Sequence, residues 1–101
     1  MAGEPPRTVI QAPRFGKAKR RFPPEAQLQI DEAVRGVIEN PLAGAPKTGG
    51  LKGIRVVKFK VGPTQLLLAY EFHVKLNRID LLDVGPHENF YRDLQKYLGA
   101  K

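Results

Sequence analysis

A chain of 101 residues has the length of one ordinary domain and is too short for two. Its 42% apolar residues can supply one modest core, and the absence of cysteine excludes both a disulfide framework and a cysteine metal site. Seventeen Lys and Arg against ten Asp and Glu give a net charge of +7, which favours nucleic acid, an anionic membrane surface or an acidic protein as partner.

Two further features of the composition bear on location. The longest apolar run, Leu66–Tyr70, is far too short to span a bilayer, and no basic leader with an apolar stretch opens the chain. We therefore expect a cytoplasmic protein that makes no use of a membrane. A merely soluble basic surface is the alternative explanation of the charge.

The first elements in chain order are a leader, a strand and a short helix. Residues 1–6 contain two prolines and a glycine and predict a mobile leader. The β-rich run Thr8–Gln11 predicts a strand, and Pro13 suits the first turn of a helix. The apolar residues at helical spacing after it are Phe15, Ala18 and Phe22, with lysines and arginines between them.

A longer helix follows the pair Pro23-Pro24. Apolar residues recur at i, i+3 and i+4 from Ile30 to Ile38, and Pro41 stops the helix because the residue before a proline leaves the α region. Leu42–Gly53, with four glycines and Pro46, predicts a loop that carries Lys47 and Lys52.

Three strands and a final helix complete the domain. Strands are predicted at Ile54–Val61, Gln65–His73 and Arg78–Val84, joined by short turns, and Gly85-Pro86 precedes a helix with an apolar stripe. The predicted class is α+β with the order β-α-α-β-β-β-α, an antiparallel sheet whose helices pack on one face. One domain over residues 7–98 and a tail over 99–101 follow from these bounds.

Two groups of residues are candidates for function. Lys58 and Lys60 share one face of a strand, roughly 7 Å apart, and either bind adjacent phosphates or protect the strand against aggregation. His87 and Tyr91 are four residues apart at the predicted start of the last helix, so their rings can face one site. A polar residue at a helix start and a core aromatic are the alternatives.

The sequence offers little support for a metal site, a cofactor or a serine nucleophile. His73 is the second histidine, but the sequence does not place it beside His87. Two distant histidines without cysteine make a poor set of metal ligands, so neither a metal nor a cofactor is predicted. The chain has no serine, which excludes a serine nucleophile.

The segment from Asp83 to Leu94, with Gly85-Pro86-His87-Glu88-Asn89-Phe90-Tyr91 at its centre, resembles the C-terminal motif of the RelE/ParE-type bacterial toxins. Glu39-Asn40-Pro41, followed by Gly50–Arg55, is similar to the helix end and glycine loop of that family. The resemblance covers roughly Arg7 to Leu98 and includes the order of elements. It implies the toxin of a two-gene, type II system with a cognate antitoxin as partner.

The resemblance leaves two activities open, because members similar to RelE cut mRNA on the ribosome whereas members similar to ParE poison DNA gyrase. Under the nuclease interpretation, His87 acts as base or acid, with Tyr91 as its partner or as a stacking surface for a base. Lys58 and Lys60 match the basic strand of the nucleases and bind phosphates, assisted by Arg55. The implied activity is a ribosome-dependent, metal-independent mRNA endoribonuclease that inhibits translation.

One departure from the nuclease pattern concerns the middle strand. Nucleases similar to RelE usually carry an arginine there, where this chain has Leu66-Leu67-Leu68. Arg78 and Arg92 are the candidates to supply the missing phosphate contact. Three alternatives remain: a non-enzymatic gyrase inhibitor, a basic RNA- or ribosome-binding module outside the toxin class, and a toxin that only binds its antitoxin.

Overall fold

Residues 6–99 are described by the computed structural model. The predicted leader, apart from Pro6, and the last two residues of the predicted tail lie outside the described residues. The elements are β1 (Thr8–Gln11), α1 (Pro13–Arg20), α2 (Pro24–Glu39), β2 (Ala45–Pro46), β3 (Arg55–Val61), β4 (Thr64–His73), β5 (Arg78–Pro86) and α3 (Phe90–Gly99), with a 3-10 turn at Gly49–Leu51.

The prolines set the helix boundaries as predicted. α1 and α2 both have proline in their first turn, where the missing N–H leaves no hydrogen bond unmade. α2 ends at Glu39, two residues before Pro41. None of the helices within residues 6–99 has the length and apolar character that crossing a membrane requires.

The five strands form one sheet in the order β1-β5-β4-β3-β2. β3, β4 and β5 form the predicted antiparallel meander. β1 pairs in parallel with β5, from Thr8 opposite Arg78 to Gln11 opposite Leu81, so the sheet is mixed and not wholly antiparallel as predicted. The physical reason is that α1 and α2 lie between β1 and the meander, and such a helical crossover returns the chain in the parallel direction.

The prediction that all helices cover one face of the sheet is wrong. α1 and α2 pack on one face, where they bury Leu66, Leu68 and Tyr70 of β4. α3 packs on the opposite face, where Phe90 and Leu94 cover the alternate β4 residues together with Leu51. Because β4 is central and apolar on both faces, each face requires its own cover.

The chain between α2 and β3 is anchored by one buried side chain. Tyr70 is fully buried, and its hydroxyl accepts a hydrogen bond from the Gly44 N–H at 2.9 Å and donates one to the Pro41 carbonyl at 2.6 Å. Burial raises the pKa of the Tyr70 hydroxyl. This anchor positions the chain for β2, which pairs with β3 through Ala45 opposite Val56.

Candidate active site

His87 and Tyr91 meet at the end of β5, although not in the way that the sequence suggested. β5 continues through Pro86, and α3 begins only at Phe90, so His87 lies in the connecting turn and not on the helix. Asn89 adopts a left-handed φ of 61°, which prevents the helix from extending back to His87. The predicted proximity nevertheless holds: the two ring centroids lie 5.5 Å apart, with the rings nearly perpendicular at 84°.

The Tyr91 ring packs against a buried aromatic neighbour. Phe90, the preceding residue in α3, is buried in the core between α3 and the sheet. Its ring contacts the Tyr91 ring edge-on, with the two centroids 5.7 Å apart. His87 is exposed and Tyr91 is half-buried. The His87 imidazole is therefore accessible to a ligand, while the contact with Phe90 holds the Tyr91 phenol in place.

Lys47 is a third member of this cluster that sequence reasoning missed. Its Nζ lies 5.0 Å from the centroid of the Tyr91 ring, within the range of a cation–π contact. The glycine loop brings it there: a Cβ on Gly50 would overlap the side chain of Gln95 in α3, so the loop lies directly on the helix. The only signal in the sequence was a lysine in that glycine loop.

Lys58 and Lys60 face the same side of the sheet as α3. Lys58 is paired with Leu67, which in turn is paired with Gly85, so these three residues form one row across the sheet. Strands are about 4.8 Å apart, so the Cα atoms of Lys58 and Gly85 are about 10 Å apart. Both lysine side chains are exposed, on the face of the sheet against which Tyr91 packs.

The three arginines predicted to bind RNA phosphates are less well placed for that role than the lysines. Arg55 faces the opposite side of the sheet from Lys58, and its Nη1 donates to the carbonyls of Leu42 at 3.3 Å and Gly44 at 2.7 Å. Arg78 lies at the other end of β5, where it binds Asp80. Arg92 follows Tyr91 in α3 with its side chain 70% exposed, close to Asp93. Of these three arginines, only Arg92 lies close to His87 and Tyr91 in the sequence.

His73 belongs to a separate cluster at the far end of the sheet. It lies seven positions along β4 from Leu66, the partner of Pro86, which places it about 23 Å from the His87 turn. Its Nε2 lies 3.0 Å from Asp80 Oδ2, and ligand atoms of Glu71, His73 and Asp80 all lie within 4.8 Å of one another. Arg78 donates two hydrogen bonds to the Asp80 carboxylate, so a guanidinium already offsets part of the negative charge of this cluster.

Leu67 explains the missing arginine of the middle strand. It is fully buried and packs in the core under α3, in contact with the cluster that contains Phe90 and Leu94. An arginine at this position would have to pass through that core to reach the surface. This chain therefore uses the position for packing, and cations near the rings come from other elements.

The lysines around His87 and Tyr91 give this cluster a positive charge. Lys47, Lys58 and Lys60 have no carboxylate within ion-pair distance among residues 6–99. Unpaired ammonium groups beside an exposed imidazole attract and hold an anion. An exposed histidine, a fixed phenol and three cations can together bind a phosphodiester and move protons at its oxygens.

Comparison with known proteins is consistent with this geometry. The family model of the ParE-like toxins of type II bacterial toxin–antitoxin systems matches residues 9–95. The chain belongs to this family. It is thus a toxin with the RelE/ParE fold, and its partner is a cognate antitoxin. No curated protein sequence matches the chain.

Solved structures resemble this toxin over most of its length. A toxin chain of the RelBE2 complex from Mycobacterium tuberculosis is 21% identical, with a TM-score of 0.70 over 81% of this chain and 99% of that chain. A double mutant of the Escherichia coli toxin RelE in the free state is 19% identical, with a TM-score of 0.71 over 91% and 97%. A metal-bound toxin from Helicobacter pylori is 30% identical, with a TM-score of 0.58 over 82% and 97%. The first two likenesses show the fold alone.

Proposed function

We propose that this toxin is an endoribonuclease that cuts mRNA on the ribosome and thereby inhibits translation. The observation that carries the proposal is the contact between the exposed His87 ring and the Tyr91 ring, 5.5 Å between centroids, beside Lys47, which has no carboxylate within ion-pair distance among residues 6–99. A residue able to take and return a proton, next to cations that hold a phosphate, is what cleavage at a ribose 2′-OH requires.

The reaction uses only groups of the chain and of the RNA. His87, as base, removes the proton from the 2′-OH, whose oxygen attacks the adjacent phosphorus in line with the departing 5′-oxygen. The bond from phosphorus to the 5′-oxygen breaks, and either the protonated His87 or the Tyr91 hydroxyl, as acid, donates a proton to that oxygen. The products are a 2′,3′-cyclic phosphate and a free 5′-OH, so the atoms balance without a water or a metal.

The lysines stabilise the charge that gathers on phosphorus. Lys58 and Lys60 project from β3 on the side of the rings, and Lys47 approaches from the glycine loop. Lys47 also lies over the face of Tyr91, where its positive charge favours one fixed orientation of the phenol. Tyr91 then either assists the proton transfer or stacks on a base of the RNA.

The test is induced expression followed by mapping of transcript 5′ ends. We expect new ends within translated messages, and at least about 100-fold fewer of them for His87→Ala, since positioned acid–base groups contribute about that much or more. Tyr91→Phe should also reduce them. His73→Ala is the matched control, because it removes the other histidine about 23 Å away and should leave cleavage unchanged.

Two results would contradict the proposal. Unchanged cleavage in both His87→Ala and Tyr91→Phe, with antitoxin still co-purifying, would show that the site lies elsewhere. Intact transcripts together with DNA-damage signalling would instead select a ParE-like gyrase inhibitor. The burial of Leu67, where nucleases similar to RelE carry an arginine, is the observation that favours this second candidate.

A further inference from the structure

A groove runs along the edge of β5 between α1 and α3. Its wider part is a cavity of about 310 Å³ whose wall includes Arg14, Lys17, Arg21 and Tyr97. A second cavity of about 170 Å³ adjoins it, shares Arg21, and ends at Gly85 and Pro86, one residue before His87. We call this surface the α1–β5 groove.

The helix α1 supplies the charge of the groove. Arg14, Lys17 and Arg21 occur at i, i+3 and i+7, so they lie along one stripe of the helix, while Phe15 on another stripe is buried in the core. The basic character of α1 is visible in its sequence, but the proposed cleavage chemistry uses none of these three residues.

Among residues 6–99, one cation of the stripe is paired with a carboxylate and two are not. Asp83, which is buried, binds Arg14 at 2.9 Å and also accepts a hydrogen bond from the Val84 N–H. Lys17 and Arg21 are exposed, and among residues 6–99 neither has a carboxylate within ion-pair distance. Residues four apart on a helix have Cβ atoms about 6 Å from each other, so these two side chains can reach neighbouring phosphates of a single strand.

The groove also offers surfaces for bases. Tyr97, under the guanidinium of Arg14 at 5.1 Å from the ring centroid, lies at one end, and Phe22 with Pro86 lines the other. Cations that follow a backbone, interleaved with aromatic and apolar surface, are the pattern of proteins that bind single-stranded nucleic acid.

We propose that the α1–β5 groove binds the single-stranded RNA that flanks the cleaved bond and leads it to His87. The inference rests on the proposed function, since it takes RNA as the ligand. An acidic segment of a protein partner would find the same cations, but the groove ends at Pro86, the residue next to His87 in the chain, and this favours RNA.

The test measures binding and not cleavage, so that the groove and the reaction are assessed separately. Fluorescence anisotropy with a fluorescein-labelled decauridylate, in a His87→Ala background that leaves the probe uncut, gives affinity as a function of sodium chloride concentration. Each phosphate contact adds about 0.7 to the slope of log affinity against log salt. We expect Lys17→Gln and Arg21→Gln each to lower the slope by about 0.7, and the double variant by about 1.4.

Lys75→Gln is the matched control, because Lys75 is exposed in the β4–β5 turn, at the end of the sheet away from Pro86. It removes the same charge and should leave the slope unchanged. Equal slopes for all the variants would overturn the proposal. Unchanged RNA binding together with lost co-purification of the antitoxin would also overturn it, and would assign the groove to the protein partner.

Failure of the proposed function would look different. A salt slope that depends on Lys17 and Arg21, combined with uncut transcripts in cells, would support the groove and reject the nuclease. Cut transcripts with a salt slope independent of both residues would reject the groove and support the nuclease.

Discussion

Replacement of Tyr70 by phenylalanine tests how the fold holds the chain that leads to the glycine loop. The ring would keep its place in the core, but the Gly44 N–H would lose its acceptor and the Pro41 carbonyl its donor. Both partner residues are buried, and each buried polar group left without a partner costs about 1–3 kcal/mol. We therefore expect Tyr70→Phe to lower the free energy of unfolding by about 2–4 kcal/mol.

Thermal and urea denaturation followed by circular dichroism measure this loss. For a domain of this size, about 2 kcal/mol corresponds to a fall of about 8 °C or more in Tm. Tyr97→Phe is the control, since the Tyr97 hydroxyl has no hydrogen-bond partner among residues 6–99, and it should change stability by less than about 0.5 kcal/mol. Equal losses in the two variants would refute the assignment of the stability to the Tyr70 hydrogen bonds.

The same residue gives stability a dependence on pH. Burial raises the pKa of Tyr70, and this effect outweighs the opposing influence of the Gly44 N–H and of Arg55. The folded protein thus holds the phenolic proton more tightly than the unfolded chain, in which tyrosine titrates near about pH 10. The contribution is complete below that pH and is lost as the pH rises through the folded pKa. We expect the stability difference between wild type and Tyr70→Phe to narrow above about pH 10.

Three further substitutions test packing at defined positions. Gly44→Ala would place a methyl group 2.8 Å from the Tyr70 hydroxyl oxygen and should cost about 1–3 kcal/mol in urea denaturation, whereas Gly36→Ala, with no atom within 4 Å, should gain about 0.5–1 kcal/mol. A loss at Gly36 equal to that at Gly44 would contradict the steric argument. Leu67→Arg introduces the arginine of the RelE-like nucleases into the core beneath α3 and should cost about 4 kcal/mol or more. Wild-type stability of that variant would show that Leu67 is not packed as described.

Local sequence determined most of the secondary structure. The prolines at positions 13, 24 and 41 delimit two helices because proline lacks an N–H and restricts its preceding neighbour. The alternation of Val57, Lys58, Phe59 and Lys60 placed the two lysines on one face of β3 because side chains alternate along a strand, but Val56 on that same face is buried. The resemblance in the last third of the chain led to the family that the comparisons show.

The placement of the site was decided by tertiary structure. Arg55 and Lys58 lie three residues apart in one strand, yet odd spacing puts them on opposite faces, and Arg78 lies at the other end of β5 from the rings. Lys47 reaches Tyr91 only because the glycine loop packs on α3, a contact between segments more than forty residues apart.

The basic charge of the chain likewise has an amount set by the sequence and an arrangement set by the tertiary structure. Its amount is a property of the composition and already indicated a polyanionic partner. Its arrangement depends on packing: Lys17 in α1 and Arg21 at the C-terminal cap of α1 line cavities beside β5 because α1 packs against that strand. Periodicity reports which face of an element is buried, but not which other element covers it, and the candidate site is made where those elements meet.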